Sequence, residues 1–160
     1  MLPLYSQASV VGAGRNKKRL AVASGGGLKR VLDVDAAPLS EQLSDDHGFD
    51  CVIECTGKET GWHAAFEAVR PGGQVLFFGG LARGTNIGVD AYKLHYQETR
   101  LLGCFHFSPQ DVRRAAEHIE GEDVELGDLV TGEVALDELE RALLDMESGA
   151  GIKYAVNPWI

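Results

Sequence analysis

Long apolar runs, an excess of basic charge and paired cysteines are all missing from this sequence, and each absence removes a class of function. No uninterrupted apolar stretch approaches the roughly 18 residues that a membrane-spanning helix needs, so no membrane role is expected. Lysine and arginine total 15 against 24 aspartates and glutamates, a net charge of −9. A chain of that sign repels phosphate backbones and anionic lipid, which excludes nucleic acid as an expected partner. Three cysteines are too few, and odd in number, for a disulfide framework. They point to a reducing compartment. The opening MLPLYSQASVV has no basic n-region and no long apolar h-region. No signal peptide is expected there, and the expected location is cytoplasmic. Glycine is abundant instead, at 20 of 160 residues where roughly 7% is usual. Residues 1–160 are expected to form a single domain able to bury a core of its own.

Short β-rich runs alternate with helical stretches, the pattern of parallel βαβ units. Ser9-Val10-Val11-Gly12 reads as a strand, and Asn16 as the cap of a helix with Leu20, Val22 and Ala23 on one face, ended by Gly25-Gly26-Gly27. Arg30–Asp33 is a second short strand. Phe49–Glu54 is a third, and it stops at Cys55-Thr56-Gly57 before a helix from Thr60 to Val69. Pro71-Gly72-Gly73 predicts a turn into Gln74-Val75-Leu76-Phe77-Phe78, a run apolar on both faces as a covered central strand would be. A short helix is expected over 92–97 and another strand over Arg100–Phe105. Ser108, Pro109 and Asp111 have the spacing of a capping box with proline at the first helical position. The helix that follows should turn Val112, Ala115, Ala116 and Ile119 inward. A last amphipathic helix over 136–146 carries Leu139, Leu143 and Met146, and Ile152–Val156 is a terminal strand. The expected class is α/β, a Rossmann-type, mostly parallel sheet with helices on both faces.

In an open parallel sheet, ligands bind beyond the carboxyl ends of the strands. Three runs end there in small residues: Gly12-Ala13-Gly14, Cys55-Thr56-Gly57 and Gly79-Gly80. Small residues let a flat ligand approach the backbone, and helix N-termini favour phosphate, so the pattern fits a nucleotide-type cofactor. Glycine-turned βα loops produce the same pattern without a ligand. Gly12-Ala13-Gly14 begins a Gly-x-Gly-x-x-Gly fingerprint but fails at the third position, Lys17. Cys51 and Cys55 are expected as small buried residues of the third strand. His95, Cys104 and His106 are metal-capable types without a second paired spacing, so no metal ligands are assigned. Asp45-Asp46-His47 reads as a solvated turn.

The run Val52-Ile53-Glu54-Cys55-Thr56-Gly57, together with Ala68-Val69-Arg70-Pro71-Gly72-Gly73-Gln74-Val75-Leu76-Phe77-Phe78-Gly79-Gly80, resembles the zinc-dependent medium-chain alcohol and polyol dehydrogenases. The likeness continues through His95–Gly103 and Gly149-Ala150-Gly151-Ile152-Lys153, with sorbitol and threonine dehydrogenase-like members most similar. The resemblance implies hydride transfer between a secondary alcohol and a nicotinamide dinucleotide. It implies cofactor contacts from Gly12, Gly14 and Arg15 at the adenosine end, and from Cys55, Thr56, Gly57, Gly79, Gly80 and Leu81 along the cleft. Gly103, Cys104 and Phe105 would lie near the nicotinamide, and Lys153 near the pyrophosphate. It also sets Val10–Gly14 against the family's second strand, with Gly14 where an acidic residue holds the ribose 2′-hydroxyl. With that acid replaced and Arg15, Lys17 and Lys18 following, NADP is favoured over NAD.

Departures from the family pattern are as informative. The zinc-bearing GroES-like catalytic domain, the first Rossmann strand and the glycine-rich pyrophosphate loop have no counterpart here, so the cofactor domain is expected to be incomplete. Zinc is expected for the family, yet no ligands for it are expected in this chain, and neither is catalysis by this chain alone. Expected partners are the dinucleotide and either a second copy or a separate chain carrying the catalytic domain. A non-enzymatic binding module is the alternative. Ser9–Gly12 is expected to occupy the vacated central position and pair beside Val52–Glu54.

Overall fold

In the computed structural model the structure describes residues 8–26, 28, 30–43, 47–121 and 127–160. Gly27, Asp45, Asp46 and the first seven residues, on which some expectations fell, lie outside the described residues. The chain forms two compact units, Ala36–Phe107 and the pair of segments Met1–Asp35 and Ser108–Ile160.

The Ala36–Phe107 unit is built on a parallel three-stranded sheet. Its strands are β3 (Phe49–Glu54), β4 (Val69–Phe77) and β5 (Arg100–Gly103), in that order. Helix α2 (Leu39–Gln42) precedes β3, α3 (Glu59–Ala68) joins β3 to β4, and α4 (Ala91–Tyr96) leads into β5. Parallel neighbours need such crossovers, because a tight hairpin reverses direction. Ala65, Val69, Val75 and Phe77 form the buried cluster, with Val52, Trp62 and Leu101 packed against it. The Trp62 and Phe77 rings stack with centroids 3.8 Å apart. Pro71-Gly72-Gly73 turns as predicted but lies inside the span of β4. The ladder jumps from Phe49↔Val69 to Cys51↔Gln74, and the Gly72 amide donates to the Gln97 carbonyl at 2.7 Å. Proline has no N–H to give the ladder, so the extra residues bulge out.

Register sets where the strands end. Glu54 pairs with Phe77, and Phe77 with Gly103, so residues 55–57, 78–80 and 104–105 all leave the sheet at its carboxyl end. Phe78 and Phe105 were expected inside strands. They lie just past the strand ends instead, 66% and 87% exposed. Cys51 and Cys55 are exposed as well, against the expectation of burial, because β3 is an edge strand among the described residues and Cys55 follows its last residue.

The second unit contains β1 (Val11–Gly14), α1 (Lys17–Gly25), β2 (Arg30–Asp33), α5 (Pro109–Glu120), β6 (Val130–Val134), α6 (Leu139–Ser148) and β7 (Lys153–Val156). β1 pairs with β2 and β6 with β7, both in parallel. The expected ladder from Ser9–Gly12 to Val52–Glu54 is absent among the described residues, where β1 pairs with β2 alone. Asn16 caps α1 by accepting from the Lys18 and Arg19 amides at 3.0 and 3.2 Å. The expected last helix divides into a 3-10 turn (Leu136–Glu138) and α6, with Ala142 buried, Met146 half-buried, and Leu139 and Leu143 exposed. The capping box forms at Ser108 and Asp111. The helix face it starts does not turn inward: Val112, Ala115, Ala116 and Ile119 are all exposed. Amphipathic spacing reports an apolar stripe, and here no described element packs over it.

Candidate functional site at the carboxyl edge of the sheet

The chemistry-bearing groups of the Ala36–Phe107 unit converge where β3 and β4 end. Glu54, last residue of β3, is 4% exposed, a rare burial for a carboxylate. Its side chain turns back on the chain after it. Oε1 accepts from the Thr56 amide at 2.6 Å and from the Thr56 hydroxyl, and Oε2 accepts from the Gly57 amide at 3.3 Å. Its main-chain carbonyl accepts from Phe78 and Gly79 at 2.9 and 2.8 Å. One residue therefore ties together the two loops that leave the sheet. Trp62 adds a third tie, its indole N–H donating to the Gly79 carbonyl at 2.9 Å.

The loops meet closely. Gly57 has φ 63°, and a Cβ there would stand 2.8 Å from the Gly80 carbonyl oxygen. Only glycine satisfies both that conformation and that approach. Outward of this junction, Cys55, Thr56 and Gly80 are exposed, and Leu81 is half-buried. A Cβ on Gly80 would meet nothing within 4 Å. The Cys104 thiol sits 3.8 Å from the Phe77 carbonyl. Partial burial of its sulfur, then the Glu54 carboxylate and then Cys104, push the Cys55 thiol above its ordinary value. A thiol raised in this way stays protonated at neutral pH.

Beside the edge, an apolar cavity of about 350 Å³ opens between α3 and β5, lined by Trp62, Phe66, Phe77, Val89 and Leu101 among others. Among the described residues no group of three or more histidine, cysteine, aspartate or glutamate side chains is placed to hold a metal ion. His95 and His106 instead make ring contacts with Tyr96 and Phe105.

In the other unit Gly12 and Gly14 lie on β1, and Gly14 pairs with Asp33, so Arg15 and Asp35 leave at one edge. Their side chains form an exposed ion pair at 3.4 Å. Lys153 is exposed at the start of β7. The start of α1 reaches the turn before it, because the Asn16 amide donates to the Gly149 carbonyl at 2.8 Å and the Arg19 guanidinium to Gly151 at 3.0 Å. Of the expected contact residues, the structure brings Cys55–Gly57 against Gly79–Gly80 and sets Cys104 beside Phe77. Glu54 is the side chain at this edge that sequence reasoning passed over. Its signal was a carboxylate closing an otherwise apolar strand, two residues before a threonine.

A parallel sheet with helical crossovers and a glycine-lined carboxyl edge is a Rossmann-like arrangement. A family model described as zinc-binding dehydrogenase matches residues 5–121, and the chain belongs to that family. Curated relatives include D-arabinitol dehydrogenase 1 of Uromyces fabae, 32% identical over 129 residues, which cover 78% of this chain and 36% of that protein. Sorbitol dehydrogenase of Halalkalibacterium halodurans is 27% identical over 152 residues, covering 93% and 44%. The chain thus spans less than half the length of either relative. Among solved structures, an NADP-bound protein of Sinorhizobium meliloti 1021 superposes with TM-score 0.86 at 24% identity, covering 94% of this chain and 45% of that one. L-idonate 5-dehydrogenase of Escherichia coli K-12 gives TM-score 0.82 at 18% identity, covering 97% and 44%.

Proposed function

We propose that this chain is the nicotinamide-dinucleotide-binding portion of a zinc-type alcohol or polyol dehydrogenase. The observation that carries the reading is the paired loops 55–57 and 79–80, fixed at the carboxyl edge of a parallel sheet. The family membership and the NADP seen in the Sinorhizobium protein support it. When bound, the dinucleotide supplies the ring that accepts or gives the hydride. The part of this chain is to bind and orient it. Exposed Cys55, Thr56 and Gly80 offer a small-residue surface on which a flat group can lie. By the family resemblance Arg15, Lys17 and Lys18 stand at the adenosine end, where Gly14 brings no acid and the Arg15 guanidinium, paired with Asp35 in the free chain, would turn to a 2′-phosphate. These residues favour NADP over NAD. The described residues do not fit a zinc ion, and no step is assigned to one. A polyol as substrate, a partner chain carrying the catalytic domain, and residues 1–160 as one cofactor domain belong to the same proposal.

Titration of the purified chain with NADPH and NADH, followed by nucleotide fluorescence, tests it. Tighter binding of NADPH is expected, with Arg15→Ala weakening NADPH by about tenfold, the worth of one charge-assisted contact to phosphate. Binding of neither nucleotide by a folded chain would overturn the reading.

A further inference from the structure

Glu54 is costly where it stands. Taking a carboxylate out of water is strongly unfavourable unless hydrogen bonds replace the lost hydration. The packing of the unit does not call for it, since Ala65, Val69, Val75 and Phe77 are all apolar. The donors it satisfies tell what it is for. Thr56 N–H, the Thr56 hydroxyl and Gly57 N–H all belong to residues beyond the strand end. That set requires an acceptor-only group with two oxygens, which among neutral side chains of this size has no equivalent.

We propose that Glu54 is a positioning residue: its carboxylate locks loop 55–57 in the conformation that meets loop 79–80, and so fixes the surface on which the dinucleotide lies. This rests on the cofactor reading above and adds the residue that makes the edge competent. The lock is local by construction. The side-chain oxygens hold Thr56 and Gly57, while Phe78 and Gly79 donate to the main-chain carbonyl, which no substitution removes. Glu54→Gln keeps the volume and one acceptor, yet turns an amide N–H₂ towards a donor. Glu54→Met keeps comparable length and removes both acceptors.

Amide hydrogen exchange and NADPH titration on the full chain, in wild type and both variants, separate the outcomes. Exchange at Thr56 and Gly57 should rise about tenfold or more in Glu54→Gln, matching loss of one hydrogen bond to a charged group. Exchange at Phe78, Gly79, Val75 and Leu76 should stay as in wild type, and NADPH should bind about tenfold more weakly. Glu54→Met should show the same pattern, amplified. Unchanged exchange at Thr56 and Gly57 would overturn the proposal. So would an increase spread evenly to Val75 and Leu76, which would make Glu54 a packing residue only. Localised loosening with undiminished NADPH affinity would overturn the positioning role as well. If wild type binds neither NADPH nor NADH, the cofactor reading fails, and the exchange pattern still decides whether Glu54 locks the loop.

Discussion

Gly57 and Gly80 face each other across the loop junction and make opposite demands. Gly57 sits at φ 63°, where a Cβ crowds its own carbonyl, and the same Cβ would stand 2.8 Å from the Gly80 oxygen. Left-handed backbone costs an ordinary residue roughly 1–2 kcal/mol, and relief of the contact requires loop 79–80 to move. Gly57→Ala should therefore destabilise the chain by about 2 kcal/mol or more. It should also weaken nucleotide binding, because the displaced loop is part of the proposed surface. Gly80→Ala, whose added methyl meets nothing within 4 Å, should stay within about 0.5 kcal/mol of wild type. Denaturant midpoints of the two variants check the pair. Equal stability for both would mean that the loops do not meet as described. Glycine content alone could not separate these positions, since both occur in strand-end runs of small residues.

At the scale of elements, α5 depends on its cap. It runs for 12 residues with none buried, and isolated helices of that length are marginal in water. The Asp111 carboxylate accepts from the Ser108 amide and hydroxyl, each at 2.7 Å. Those bonds, the amide first, hold it below its ordinary value of 3.8. A carboxyl lowered by folding contributes its stabilisation fully above the unfolded value, and loses it as pH falls through the folded one. Backbone NMR of α5 should accordingly show helicity constant at neutral pH and declining below about pH 3.8. Asp111→Asn, which cannot titrate, should lack this acid component; an identical acid decline in the variant would refute the role of the box. This box was legible in the sequence because its signal is local, a serine, a proline and an acid at fixed offsets. The strands and the α3 crossover were legible for the same reason, through β-rich runs and strand-end glycines. What could not be read depends on neighbours. Val112 and Ile119 have the spacing of a buried stripe, but spacing is silent on whether a surface exists to bury it. Strand alternation puts Cys51 on an inner face, but among the described residues β3 is an edge. The burial of Glu54 arises from three donors of its own chain, a tertiary arrangement that no periodicity encodes.

At the scale of the whole molecule, apolar surface is left where a folded domain usually hides it. Val112 and Ile119 are 51% and 57% exposed on α5, and Leu143 and Leu144 are 57% and 58% exposed on α6. Scattered apolar side chains on a surface need no explanation, but apolar stripes along two helices favour association. The sheets add unpaired strand edges among the described residues, and an open edge templates pairing with another chain. A net charge of −9 opposes this, keeping molecules apart at low ionic strength. Screening therefore decides between dispersion and association. At about 0.15 M salt the Debye length falls to roughly 8 Å, which confines repulsion to near contact while leaving apolar attraction intact. The folded chain should consequently bind an apolar dye such as ANS, and its sedimentation coefficient should rise with concentration more steeply as salt is added. Val112→Lys combined with Ile119→Glu leaves the net charge unchanged while removing the α5 stripe. That double variant should bind less dye and sediment with a weaker concentration dependence, its far-ultraviolet circular dichroism unaltered. A wild-type chain that binds no dye and sediments identically at every concentration and salt would show that these faces are not free in solution, and would remove α5 as the source of association.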